Sequence, residues 1–92
     1  MVFATASAAK TIRVDATGIA FSPANVSAQA GDAVVWTNKD FVAHTATARN
    51  GAWDITLPPH KTGQAVLKNA GTIDYYCRYH PTMKGEVKVG PK

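Results

Sequence analysis

The sequence predicts an all-β fold, a single-domain Greek-key β-sandwich of about seven or eight short strands. Three observations point there. Short runs rich in Val, Ile, Thr, Trp and Tyr recur along the chain, separated by Gly, Pro, Asn and Asp turn signals. No stretch of useful length repeats apolar residues at the helical period, and residues 38–48 carry neither a cap nor an apolar stripe. The 92 residues, 46% of them apolar, are enough for one core and too few for a second.

Residues 1–9 read as a tail. They are too short for a whole export signal, yet Ala4-Thr5-Ala6 and Ala6-Ser7-Ala8 have the small-x-small form of a secretory cleavage site. The tail is therefore either the remnant of an export signal, which makes a periplasmic location the expectation, or an ordinary flexible end. Residues 10–92 form one unit without repeat or linker.

Residues 10–15 alternate, with Ile12 and Val14 on one face and Arg13 on the other, as a half-buried strand does. A second extended piece, 19–21, is closed by Ser22-Pro23, and a third, 26–29, ends at the Gly31-Asp32 turn. Residues 33–37 are β-branched and aromatic, a near-continuous run that suits a strand covered on both faces. Asn38-Lys39-Asp40 turns the chain, and 41–47 is the next extended segment, with His44 in its middle. Residues 53–55 look like a short anchor, and the proline-stiffened 58–63 like a surface connection that carries His60. A strand at 64–68 and the turn Asn69-Ala70-Gly71 lead to 72–77, where Ile73, Tyr75 and Cys77 share one face. Gly85 releases the chain into a last strand, 86–89, with Val87 and Val89 inward.

Composition removes several classes of function. One cysteine excludes an internal disulfide and the paired-cysteine zinc, iron–sulfur and c-type haem patterns. No apolar run is long enough for a membrane span, so a soluble chain is expected. The net charge of +4 favours an acidic partner, but the ten lysines and arginines are scattered and no nucleic-acid motif accompanies them, so no nucleic acid is expected.

The chemistry concentrates in Cys77-Arg78-Tyr79-His80-Pro81-Thr82-Met83, where a thiol, an imidazole and a thioether recur at every third position. Copper in an electron-transfer site takes two imidazoles and a thiolate in a plane, with a weak thioether on the axis. The stretch supplies three of these four, and the other imidazole must come from His44 or His60. His60 sits in a surface connection and is given no ligand role. His44, in mid-strand, is the choice because the ligand stretch needs a second imidazole, although taken alone it reads as a core or rim histidine more readily than as a ligand. A tight turn after the strand would bring positions i, i+3 and i+6 to one side, and Pro81 stiffens it. Zinc also takes Cys and His, but a thioether suits it poorly, and Cu(II) stands above zinc in affinity for such a site. With four protein ligands no open position remains for a substrate, which favours a carrier over a catalyst.

Gly31-Asp32-Ala33-Val34-Val35-Trp36-Thr37-Asn38 resembles the Gly-Asp-x-Val-x-Trp-x-Asn segment of the cupredoxins, the small blue copper proteins. His44-Thr45 stands where that family has its first ligand, and Met83-Lys84-Gly85 followed by Val87 is similar to its closing element. The resemblance runs over nearly the whole chain. The two-residue gap between His80 and Met83 is similar to that of the amicyanins, whereas plastocyanins and pseudoazurins have longer gaps.

The resemblance implies a cupredoxin-like blue copper domain with one copper on His44, Cys77, His80 and Met83. It also implies an electron port at the exposed edge of His80, in an apolar patch, and backbone N–H groups donating to the Cys77 sulfur. Thr45 replaces a common Asn, which puts the strap between the ligand loops in question. Tyr79 replaces a common Pro, with Arg78 before it. Arg78, Tyr79, Pro81 and Lys84 flank the port as docking candidates that favour an acidic partner surface. The expected function is a soluble, monomeric one-electron carrier between redox protein partners, not an enzyme. The alternatives are a copper-binding or delivery protein, or a domain cut from a larger copper oxidoreductase.

Overall fold

The computed structural model of the chain describes residues 9–92, so the small-x-small motifs of the tail lie outside the described residues. Among these residues there are nine strands and no helix: β1 (Thr11–Thr17), β2 (Ala20–Ser22), β3 (Asn25–Gln29), β4 (Ala33–Asn38), β5 (His44–Ala48), β6 (Asp54–Leu57), β7 (Thr62–Val66), β8 (Gly71–Cys77) and β9 (His80–Gly90). They form a four-stranded sheet in the order β2-β1-β4-β7 and a five-stranded sheet in the order β3-β9-β8-β5-β6. The chain changes sheet after β2, β3, β4, β6 and β7. β1 and β4 run parallel, as do β3 and β9, and the remaining pairs are antiparallel. The all-β sandwich expected from the turn-marked runs is the fold.

Several elements differ from the sequence reading, β7 being shifted to Thr62–Val66 and β9 opening already at His80. Residues 54–57 form a true strand, because Asp54, Ile55, Thr56 and Leu57 pair with Thr47, Ala46, Thr45 and His44. β4 alternates between buried and half-buried positions, so only one of its faces meets the core. Residues 41–43 are loop, and His44 opens its strand instead of sitting at its middle. The alternation expected for β8 is present, with Tyr75 and Cys77 buried and Ile73 half-buried.

The core joins the sheets through an aromatic cluster. Tyr75 of β8 packs edge-on against Phe21 of β2 at 4.7 Å and against Trp36 of β4 at 5.4 Å between ring centroids. Burial pushes the Tyr75 phenol up to about 12. Its ring lies over Gly85, its partner on β9, where an added Cβ would collide with the ring carbon Cζ and the hydroxyl oxygen. The residue two before Cys77 is thus held from both sheets and from below.

At the end of the sandwich away from Cys77, Asp32 is 5% exposed and ties together the residue before β1, the last residue of β3 and the residue after β7. Its carboxylate accepts from the backbone N–H groups of Lys10 and Gln29, each at 2.9 Å, while its carbonyl accepts from Leu67 N–H at 2.8 Å. The Gln29 and Lys10 N–H groups, in that order, hold the carboxyl below its ordinary range.

Two outcomes are expected. Replacing Gly85 with Ala displaces Tyr75 and destabilises the fold by about 1–3 kcal/mol in chemical denaturation. A depressed folded pKa means that Asp32 contributes fully above the ordinary value of 3.8 and loses that contribution as pH falls through the lower folded value. Asp32→Asn should therefore be less stable than wild type at about pH 6 and converge on it towards about pH 2, read as denaturant midpoints.

Candidate metal centre

Cys77 is delivered by parity. It ends β8 two residues after Tyr75 on the same inward face, and it is fully buried. Arg78 and Tyr79 make a two-residue turn, and His80 opens β9 directly opposite Cys77. The next aligned pair is Tyr76 with Lys84, so Pro81, Thr82 and Met83 are extra chain on β9 opposite the Tyr76–Cys77 step. In a regular strand, residues three apart point to opposite faces. This bulge breaks the alternation: Pro81 and Thr82 are both exposed and Met83 is 1% exposed. The three-residue spacing thus arises from a hairpin and a bulge in a strand, where the sequence reading expected one continuous tight turn.

His44 comes from β5, a neighbour of β8 in the same sheet, and its side chain is fully buried. Its Nδ1 lies 3.8 Å from Cys77 Sγ, and His80 Nδ1 lies 3.7 Å from the same sulfur. One donor atom from each of the three residues lies within 4.8 Å of the others. An ion bonded in a trigonal plane at about 2.0 Å to nitrogen and about 2.3 Å to sulfur would set N···S separations near 3.7 Å. The triangle therefore fits a metal ion at its centre, and Met83 adds a buried thioether from the bulge. That is the arrangement of a type 1 copper site, with one copper per chain.

The orientation of His44 is set from its other ring nitrogen. Nε2 lies 2.7 Å from Asp40 Oδ2, which leaves Nδ1 toward the sulfur. Asp40 also accepts from Gly18 N–H at 3.0 Å, and these contacts, His44 first, hold its carboxyl below the usual range. The loop around it is tied down by Asn38, which is fully buried. Its Nδ2 donates to the carbonyls of Val42 and Leu57 at 2.8 and 2.9 Å, and its Oδ1 accepts from Asp40 N–H at 2.8 Å.

Thr45 does make a strap. Its N–H donates to Cys77 Sγ at 3.4 Å, and its Oγ1 accepts from Arg78 N–H at 2.8 Å. A hydroxyl thus does what an Asn amide was expected to be needed for. Arg78 is exposed, and its Nε pairs with Asp54 Oδ1 at 3.2 Å. Tyr79, Pro81 and Lys84 are exposed, and His80 is half-buried. His60 lies outside the donor cluster; it stacks edge-on to Phe41 at 5.0 Å. Phe41, 88% exposed, and Val42 are apolar surface beside His44 that the strand reading of 41–47 concealed. Asp40 was also missed; its place four residues before His44, in a segment read as a plain turn, was the only signal.

Fold and site together define a small mononuclear copper domain. The chain belongs to the cupredoxin family: a model of the Cupredoxin-like domain matches residues 2–89. Among curated relatives it is 39% identical over 75 residues to amicyanin-alpha of Methylorubrum extorquens, covering 75% of this chain and 63% of the relative. It is 32% identical over 84 residues to amicyanin of Paracoccus denitrificans, covering 85% of this chain and 64% of that protein. The chain thus spans less than two thirds of either relative's length. Among solved structures it is similar to a purple cupredoxin from Nitrosopumilus maritimus, with a TM-score of 0.75, 26% identity, and coverage of 86% of this chain and 99% of that one. A reduced amicyanin variant has a TM-score of 0.77 and 26% identity, with 94% and 86% covered.

Thr45→Val keeps the N–H to sulfur contact but removes the acceptor for Arg78 N–H. It is expected to lower stability by about 1–2 kcal/mol and to speed exchange of the Arg78 amide hydrogen. Denaturation and hydrogen exchange together check this; unchanged Arg78 exchange would mean that the hydroxyl is no strap.

Proposed function

We propose that the chain is a one-electron carrier whose ligands are His44, Cys77, His80 and Met83. The observation that carries this reading is the convergence of two imidazoles on one buried sulfur at 3.7 and 3.8 Å, with a buried thioether on the adjoining bulge. When bound there, copper supplies the Cu(II)/Cu(I) couple. The protein's share is to hold the donors still and to exclude water. His44, Cys77 and Met83 are buried, and Asp40 and Thr45 fix the imidazole and the sulfur from behind. A set of four protein donors leaves no place for a substrate, which supports a carrier and not an enzyme.

His80 is the half-buried ligand, and its exposed side is the natural port. Phe41, Val42, Tyr79 and Pro81 give that end of the molecule an apolar surface, and Lys39, Lys61 and Lys84 are exposed on the connecting loops and the start of β9. An apolar centre with a basic rim suits a redox protein that presents acidic groups, in a salt-sensitive encounter. Arg78, engaged by Asp54, contributes less to this rim than its sequence position implies. The chain acts as a monomer, and the periplasm is the location that the small-x-small tail supports.

Adding Cu(II) to the purified protein tests the reading. An intense thiolate-to-copper absorption band with narrow copper hyperfine splitting is expected, bleached by one equivalent of reductant and restored by an oxidant. Cys77→Ala should lose the band entirely, and Met83→Ala should keep a band of altered position. A colourless product, or a band that survives Cys77→Ala, would sink it.

A further inference from the structure

Around Thr45, four residues form a closed circuit. Arg78 N–H lies 2.8 Å from Thr45 Oγ1, Thr45 Oγ1 lies 2.9 Å from Thr47 Oγ1, and Thr47 Oγ1 lies 2.8 Å from Asp54 Oδ1. Arg78 Nε returns to the same Oδ1 at 3.2 Å. The circuit joins the β8–β9 turn, β5 and the first residue of β6.

We propose that Asp54 is a positioning residue for the Cys77 sulfur, because it gives this circuit a single direction. An amide N–H only donates, so Thr45 Oγ1 must accept from Arg78, and its own hydrogen is left for one acceptor. An ionised carboxylate only accepts, so Thr47 must donate to Asp54, and its oxygen is free to accept from Thr45. Both hydroxyl rotors are thereby fixed, and Thr45 offers its lone pair to the ligand turn. The Thr47 hydroxyl, ahead of Arg78, holds the Asp54 carboxyl below the usual range, which keeps it in the accepting form. Without Asp54 the Thr47 hydrogen can turn toward Thr45 and compete with Arg78 for the same oxygen.

The consequence reaches the sulfur through Thr45, whose backbone N–H lies 3.4 Å from Cys77 Sγ. One residue thus grips Cys77 by its sulfur and the following residue by its amide. An N–H directed at a thiolate favours the reduced state of the centre, so loosening this grip lowers the reduction potential. The Arg78–Asp54 ion pair is not the working part. Its side chains are 41% and 56% exposed, and such pairs add little to stability. The potential effect rests on the proposed copper role; the circuit itself does not.

Hydrogen exchange of the metal-free protein, followed by NMR, separates the two. In Asp54→Ala and in Thr47→Val, exchange at the Thr45 and Arg78 amides should rise about fivefold to tenfold, roughly the factor one lost hydrogen bond is worth. The Ile73 and Val87 amides should not change. Asp54→Asn keeps an acceptor oxygen without the charge and should exchange like wild type. In the copper-loaded protein, Asp54→Ala should shift the Cu(II)/Cu(I) preference about threefold toward Cu(II), a fall of about 28 mV. Unchanged exchange in Thr47→Val, or equal effects of Asp54→Asn and Asp54→Ala, would overturn the circuit. Faster exchange in Thr47→Val with no blue band on copper addition would uphold the circuit and overturn the carrier reading.

Discussion

The site depends on the register between β8 and β9. Up to Tyr76 and Lys84 the two strands pair regularly, with Tyr75 over Gly85 and the inward residues Val87 and Val89 following in phase. Beyond that point β9 carries three residues more than β8, and the ladder closes again only at Cys77 and His80. Removing the bulge would leave Met83 on a regular strand with His80 on the opposite face. The bulge is what allows two ligands from one strand to serve one metal.

A register break is weak unless the strands on either side are held, and here they are. Tyr75 is gripped by Phe21 and Trp36 of the other sheet and seated on a glycine, so β8 cannot slide without breaking an aromatic cluster. On the opposite flank, Asn38 ties the loop before His44 to the end of β6 through the Val42 and Leu57 carbonyls. His44 therefore enters from a loop that has no regular strand pairing but little freedom. Such rigidity matters for the proposed carrier role, because donors that stay in place on electron gain and loss need little rearrangement.

Much of this was legible before any coordinates. Alternation placed Cys77 inward at the end of β8, because side-chain parity is a local property of the backbone, and a thiol, an imidazole and a thioether within seven residues marked the donor set by their chemistry. The bulge was not legible, since an insertion in one strand exists only relative to its partner. Asp40 was hidden for a related reason: a carboxylate in a polar loop looks like solvation until the fold brings it to 2.7 Å from a buried imidazole. The substitution at Thr45 was recognised as a departure. Its resolution lay in Thr47 and Asp54, strand residues whose own sequence context shows nothing unusual.

Thr45 also shows why one-for-one comparison of residues misjudges a site of this kind. An amide side chain can accept and donate with two different atoms, whereas a hydroxyl does both from a single oxygen and must be oriented by its neighbours. Replacing the former by the latter moves part of the task to whatever receives the hydroxyl hydrogen. In this chain the receiver is Thr47, backed by a carboxylate on the next strand. The β5–β6 hairpin is therefore part of the metal centre's support although it supplies only one of its ligands. Arg78, which sequence places at the docking face, also reaches this support through its Nε.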